Sequence, residues 1–243
     1  MSIFAPIQRV AETLVSLLYP PHCAACGVST PAQVFVCPQC ANGAHGIEAP
    51  FCRQCSQPFD GDITDEFRCS NCDGRKFHFD CAVARYRSKG IVRDFVHRFK
   101  YEQAYYLRRP LAEWAAVGLT DKRILMRPFD FLVPVPLHPA RKRERGFNQA
   151  EAIGSLLAER TGKPMKPALR RTRYTTTQTR LDRAERMENL RGAFEVRHPE
   201  AVRDRHLILV DDVFTTGSTI EECARVLHQA GAASVRALTV ARG

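Results

Sequence analysis

His206-Leu-Ile-Leu-Val-Asp-Asp-Val-Phe-Thr-Thr-Gly-Ser-Thr219 is the stretch whose reading decides the fold. Leu207 to Val210 form an unbroken aliphatic run, the composition of a parallel strand buried on both faces. Asp211 and Asp212 follow at its carboxyl end, which is where ligands bind in open α/β sheets. Thr215-Thr-Gly-Ser-Thr219 then offers backbone N–H groups and hydroxyls around a glycine that lets the chain come close, a loop suited to a phosphate. Ser218 with Glu221 three residues on has the pattern of an N-cap and its reciprocal partner, and Ile220, Cys223, Ala224 and Leu227 share one helical face. The anion would sit at a helix N-terminus, so the stretch reads as a site for a phosphorylated sugar. The bland alternative is a solvated strand end followed by a turn.

Four aliphatics, Asp-Asp, two intervening residues and Thr-x-Gly-x-Thr resemble the phosphoribosyl diphosphate (PRPP) signature of type I phosphoribosyltransferases. The resemblance implies an α/β fold with a parallel sheet flanked by helices. It also implies that Asp211 and Asp212 contact the ribose 2′- and 3′-hydroxyls and an associated Mg²⁺, while Thr215, Thr216, Gly217, Ser218 and Thr219 hold the 5′-phosphate. A hard cation with oxygen ligands suits carboxylates and diols, and it neutralises a leaving diphosphate. One position departs from the purine-salvage members, which commonly carry an aspartate where Thr215 stands. A threonine cannot act as general base near neutral pH, so the acceptor stays open.

The chain has 243 residues, 44% of them apolar, enough for one large or two small domains. Its two departures from average composition are ten cysteines and a formal charge of +10. Eight cysteines form four Cys-x-x-Cys pairs, Cys23/Cys26, Cys37/Cys40, Cys52/Cys55 and Cys69/Cys72. Two such knuckles fill the four tetrahedral positions of one Zn²⁺, so Cys23, Cys26, Cys37 and Cys40 make one closed structural site and Cys52, Cys55, Cys69 and Cys72 another. A disulfide framework is the alternative; no secretory pattern precedes the cysteines, and the expectation is a cytoplasmic protein with reduced thiols. Cys81 and Cys223 are left over and read as buried free cysteines, with Cys81 near enough to compete as a ligand.

Ile3, Ile7, Val10, Leu14, Leu17 and Leu18 recur at helical spacing, interrupted by Gln8, Arg9 and Glu12, which predicts an amphipathic helix over 1–20 and neither a signal peptide nor a membrane span. The double zinc ribbon is expected over 21–80 and the larger domain over 81–243. That domain should begin with a strand at Ala82 to Tyr86, a helix ending near Lys100-Tyr101 and a second from about Leu107 to Leu119. A strand from Phe129 is stopped by Pro134 and Pro136. The loop His138 to Gly146 carries Arg141, Lys142, Arg143 and Arg145 into a helix led by Phe147, again a strand end meeting a helix start. The basic stretch Leu169 to Arg191 has little apolar periodicity before Leu181 and reads as a mobile cationic loop.

Taken whole, the chain resembles the ComF/GntX family, a double zinc ribbon joined to a phosphoribosyltransferase-like domain. The cysteine pairs, Lys100-Tyr101, Pro134-Val-Pro136, Arg145-Gly-Phe-Asn-Gln149, Thr177-Gln178, Arg186-Met-Glu-Asn189 and the acidic motif carry the match. The resemblance implies a diphosphate loop after Pro136, with Arg141, Arg143 and Arg145 on PRPP, and a hood from Arg171 to Asn189. It implies a link to DNA uptake. Two function classes follow. In one, an Mg²⁺-dependent enzyme cleaves the C1–diphosphate bond, with Asp211, Asp212 and Lys100 as catalytic residues and positive charge on the leaving group. In the other, the pocket only senses PRPP, and the basic surface binds single-stranded DNA with Phe51, Phe59, Phe67, Phe77 and Phe79 as stacking platforms. Individually, each of those rings is more simply the miniature core of a zinc domain.

Overall fold

The computed structural model describes residues 21–61, 67–174 and 183–243, so the helix expected over 1–20 lies outside the described residues. The chain divides into two compact units, Met1–Ala44 and His45–Gly243. The first cysteine quartet belongs to the smaller unit and the second to the larger.

In the smaller unit the Cys23 knuckle closes through Gly27 N–H to Cys23 O at 2.9 Å. Its other half is a single helical turn, α1 (Pro38–Ala41), which Pro38 opens and Cys37 caps, its sulfur accepting from the Cys40 N–H.

The larger unit runs β1 (Ala82–Arg87), α2 (Gly90–Tyr101), α3 (Arg108–Val117), α4 (Lys122–Leu125), β2 (Phe131–Pro134), α5 (Pro139–Arg145), α6 (Gln149–Thr161), β3 (Leu169–Arg171), α7 (Arg183–Leu190), β4 (Phe194–Val196), α8 (Pro199–Val202), β5 (His206–Phe214), α9 (Ser218–Gln229) and β6 (Ser234–Arg242). Four strands form a parallel sheet in the order β1-β6-β5-β2, with Leu209 of β5 level with Val133 on one side and Ala237 on the other. β3 and β4 make a separate antiparallel pair. The aliphatic run explains why β5 is central: Leu207, Ile208, Leu209 and Val210 are all fully buried, each worth roughly 1.5–3 kcal/mol relative to exposure. Leu207 and Leu209 share a core with Cys223, Ala224 and Leu227 of α9. Val210 turns toward α6, where a Cβ at Gly154 would stand 4.0 Å from the Val210 Cβ and 2.8 Å from Met165 Sδ. Helices therefore cover both faces, and no helix among the described residues is long and apolar enough to cross a membrane.

Several local expectations change. β5 does not end in the two aspartates but continues to Phe214, because β6 keeps pairing beside it, Asp211 level with Thr239 and Phe214 with Arg242. The basic segment after Pro136 is a helix, α5, opened by Pro139 with the His138 ring accepting from Ala140 N–H at 3.3 Å. Leu169–Arg171 is a strand and Arg183–Leu190 a helix, so the described ends of the expected mobile loop are ordered by pairing with β4 and packing near α9; residues 175–182 lie outside the described residues. Gly217, not Ser218, is the N-cap of α9, and it makes no side-chain cap.

Candidate functional site

The site is assembled at the carboxyl ends of the strands. Asp212 is buried on β5, and its Oδ1 lies 2.8 Å from Lys100 Nζ in the last turn of α2. Burial alone would lower the Lys100 ammonium, but the Asp212 carboxylate beside it wins and holds it above the usual lysine value. Asp211, half-buried, is pushed up to about 7 by burial and then by the charge of Asp212, against the pull of Lys100 and Arg171. Two carboxylates at adjacent positions thus share one lysine, and the second is kept near its titration point. That is an oxygen-donor pair short of positive charge, chemistry that fits a hard divalent cation or a diol.

The turn after β5 is fixed by one residue. Gly217 has φ +79°, and a Cβ there would meet Phe214 Cζ at 2.4 Å, so only glycine lets the turn fold back over that ring. Phe214 is itself buried edge-on against Phe79, 5.9 Å between centroids. Thr216 Oγ1 and Ser218 Oγ then stand 3.0 Å apart, with Thr215 exposed and Thr216 and Thr219 half-buried at the start of α9. Glu221, expected to close a capping box, instead reaches back to the second cysteine module: it accepts from the His78 N–H at 3.0 Å and meets His78 Nδ1 at 2.7 Å. Glu222 likewise accepts from Gly192 N–H at 2.7 Å and pairs with Arg225. The first turn of α9 is therefore held from two sides.

The cations divide. Arg145 lies near Lys100, stacks over Tyr101 at 5.2 Å and donates to Gln149 Oε1 at 3.1 Å. Arg141 stacks over Tyr174 at 5.9 Å and feels Arg171. Arg143 is exposed on α5 and lines a cleft of about 510 Å³ with Lys142, Arg170, Arg171 and Arg197. Sequence reasoning named Arg171 only as the start of the hood, yet its guanidinium stacks at 5.3 Å on Phe194 and acts on Asp211. Its signal was weak, since nothing but its place in a basic stretch marks it. The His78–Glu221 link carried no sequence signal at all.

Both cysteine quartets converge as expected, with all four sulfurs of each within 4.8 Å of one another. A tetrahedral Zn²⁺ with Zn–S of about 2.3 Å needs sulfurs roughly 3.8 Å apart; Cys26 and Cys37 are at 3.8 Å, and Cys55 and Cys69 at 3.6 Å. Backbone N–H groups of Cys37 and Cys69 point at the sulfurs of Cys23 and Cys52, both at 3.3 Å, which favours thiolates. The donor sets fit structural zinc. Cys81 joins neither set: it is buried by the Arg123 carbonyl, and burial pushes its thiol up to about 11. Of the five rings near the cysteines, Phe79 is core with Phe77 against it, Phe67 packs on Phe59 at 5.5 Å, and Phe51 lies under Arg123; Phe59 is 43% exposed. Phe79 alone of the five is fully buried, and Phe67 and Phe77 are partly buried against the same core.

Known proteins resemble both parts of the chain, with the zinc-ribbon match running past the boundary between the two units. The double zinc ribbon domain family matches residues 14–73 and the phosphoribosyl transferase domain family residues 146–243. The chain is 27% identical over 222 residues to Competence protein F of Haemophilus influenzae, covering 86% of this chain and 97% of that protein. It is 30% identical over 227 residues to the DNA utilization protein YhgH of Escherichia coli K12, covering 90% and 89%. A solved structure of the allosteric regulatory enzyme of purine biosynthesis is similar at 20% identity and a TM-score of 0.39, over 59% of this chain and 30% of that one. Sheet, site and cysteine quartets together define a phosphoribosyltransferase-like protein carrying a double zinc ribbon. The chain belongs to the ComF family.

Proposed function

We propose that the protein binds PRPP at the carboxyl end of β5 and acts as a phosphoribosyltransferase-like protein in the handling of incoming DNA, in the cytoplasm. One observation carries this reading: Asp211 and Asp212, with Lys100 on Asp212, stand immediately before the Gly217 turn that opens α9. In that arrangement Asp211 and Asp212 hold the ribose diol and an Mg²⁺, and Thr215, Thr216, Gly217, Ser218 and Thr219 surround the 5′-phosphate. Lys100 and Arg145, which act on each other near the acidic pair, would supply positive charge to the departing diphosphate, with Arg141 near Arg171 adding to it. When bound, Mg²⁺ supplies charge neutralisation to the leaving group. The protein contributes no nucleophile: its residues hold the sugar, position positive charge and leave attack at C1 to an acceptor. Arg143 lines a cleft together with Arg171, which acts on Asp211, and it is read as a further PRPP contact. The association of the H. influenzae and E. coli relatives with competence and DNA utilization supports the cellular setting. Titration calorimetry with PRPP in Mg²⁺ tests the reading: saturable binding, much tighter than that of ribose 5-phosphate, is expected, and equal or absent binding of the two would refute it.

A second reading has its own observation. The cleft beside α5 brings Lys142, Arg143, Arg170, Arg171 and Arg197 to one surface with Glu151. A non-catalytic protein that senses PRPP and binds single-stranded DNA would use it, with binding that weakens by a log–log salt slope of about −0.7 per phosphate neutralised. Arg143→Ala should flatten that slope; Phe59→Ala tests stacking, since Phe59 is the exposed ring among the five.

A further inference from the structure

At the opposite end of the sheet lies a cleft of about 680 Å³, lined entirely by the larger unit. Its floor is the start of β6 at Ser234 and Arg236, and its walls come from α4 and the second cysteine module. Ser234 pairs with His206, whereas Thr239 pairs with Asp211. Five residues of strand at about 3.3 Å each put this cleft roughly 16 Å from the acidic pair.

Its charge is one-sided. Six cations line it against a single acid, Asp80. Three of the six are engaged by the protein itself, and Arg68 gives Nη2 to Gln54 Oε1 at 3.3 Å and to the Arg75 carbonyl at 3.1 Å. Arg123 is spent on Asp121 at 2.7 Å, on Ser56 Oγ at 3.0 Å and on the Arg53 carbonyl at 3.0 Å. Arg236, 3% exposed, gives Nη1 to the carbonyls of Ile124 and Arg127 and Nη2 to that of Pro128 at 3.4 Å. Its Nε, however, is buried with no hydrogen-bond partner, and so is the Nε of Arg68 on the facing wall. Both Nε atoms are shut off from the cleft, so it is the one-sided charge of its lining that calls for an anion. Arg53, Lys122 and Arg127 add charge around it.

The cleft is also partly apolar. Pro50 and Phe51 line it, and Met126 stands 82% exposed at the rim. Charge beside a flat apolar surface, in a volume within the roughly 300–1,000 Å³ of small-ligand pockets, matches a phosphorylated ring compound better than an extended strand. We propose that this cleft is a second ligand site, for a nucleoside phosphate, with the phosphates against the basic lining of Arg53, Arg68, Lys122 and Arg127 and the base against Met126 and Pro50. It is independent of the reading of the acidic pair.

The test uses the full-length protein and a fluorescent nucleoside diphosphate, competed with unlabelled nucleoside diphosphate, inorganic diphosphate and a short single-stranded oligonucleotide. Wild type should bind, and Asp211→Asn/Asp212→Asn should bind equally well. Arg127→Glu and Lys122→Glu, both on exposed positions, should each weaken binding by about tenfold, the worth of one charge-assisted contact. Met126→Glu is a third variant with little risk to folding, and it should weaken the nucleotide but not diphosphate. No binding at about 1 mM, or binding that the aspartate variant abolishes and the rim variants leave intact, overturns the proposal. Inorganic diphosphate competing as well as the nucleotide overturns the base contact, and an oligonucleotide competing better overturns the small-ligand assignment.

Discussion

Lys100 Nζ lies 2.8 Å from Asp212 Oδ1, tying the last turn of α2 to the carboxyl half of β5. The two acids are adjacent, so the lysine also offsets the repulsion that pushes Asp211 upward. Removing it leaves a carboxylate that is 8% exposed without its cation. Lys100→Met should therefore cost on the order of 2–4 kcal/mol, toward the low end of buried pairs because the lysine keeps some solvent. Urea unfolding measures this, and adding Asp212→Asn to Lys100→Met should recover part of the loss.

Gly217→Ala should act on the site more than on the core. The new Cβ meets Phe214 at 2.4 Å and the residue must hold φ +79°. Left-handed strain of about 1–2 kcal/mol adds to overpacking of about 1–3 kcal/mol, and the turn relieves both by moving. A modest fall in melting temperature with a large loss of PRPP affinity is the expected pattern.

Two Zn²⁺ per chain are expected by elemental analysis, and their loss should have unequal effects. Cys52, Cys55, Cys69 and Cys72 share a core with Phe79 and Phe214, while Cys23, Cys26, Cys37 and Cys40 belong to the smaller unit. Cys37→Ser should lower the metal content to about one and leave the melting of residues 45–243 nearly unchanged. Cys52→Ser should destabilise the larger unit and, through His78 and Glu221, the start of α9.

The acidic pair gives stability a pH dependence of known sign. Asp211 at about 7 lies above an unfolded carboxylate, near 3.9, so the folded state binds more protons between those values. Stability contributed by this group is present at low pH and is lost as pH rises from about 4 to about 7. Asp211→Asn should remove that slope in urea midpoints measured across the interval. Binding of Mg²⁺ with PRPP, which selects the ionised carboxylate, should run the other way and strengthen toward pH 8.

Much of this was legible in the chain. Leu207 to Val210 announced a central strand because four aliphatics leave no polar face, and the cysteine spacing named both quartets because a tetrahedral ion dictates it. Sequence reasoning ended the strand in Asp211 and Asp212; Val213 and Phe214 extend it because β6, distant in sequence, pairs with them. α5 was missed because Pro139 to Arg145 has no apolar face, although proline after a capping His138 is a start signal. Ser218 was preferred to Gly217 as cap because the hydroxyl is visible in sequence and a ring beneath the turn is not. Which unit each quartet joins was likewise out of reach, since spacing names ligands and says nothing of what packs on them.

The central claim is that Asp211 and Asp212 form the PRPP site, and thermal shift with PRPP and Mg²⁺ on wild type and on Asp211→Asn/Asp212→Asn tests it most directly. The account predicts that PRPP at about 100 times its dissociation constant stabilises the wild type by about 2.7 kcal/mol, and that the folded double variant shows no shift. Stabilisation that persists undiminished in the double variant would contradict it.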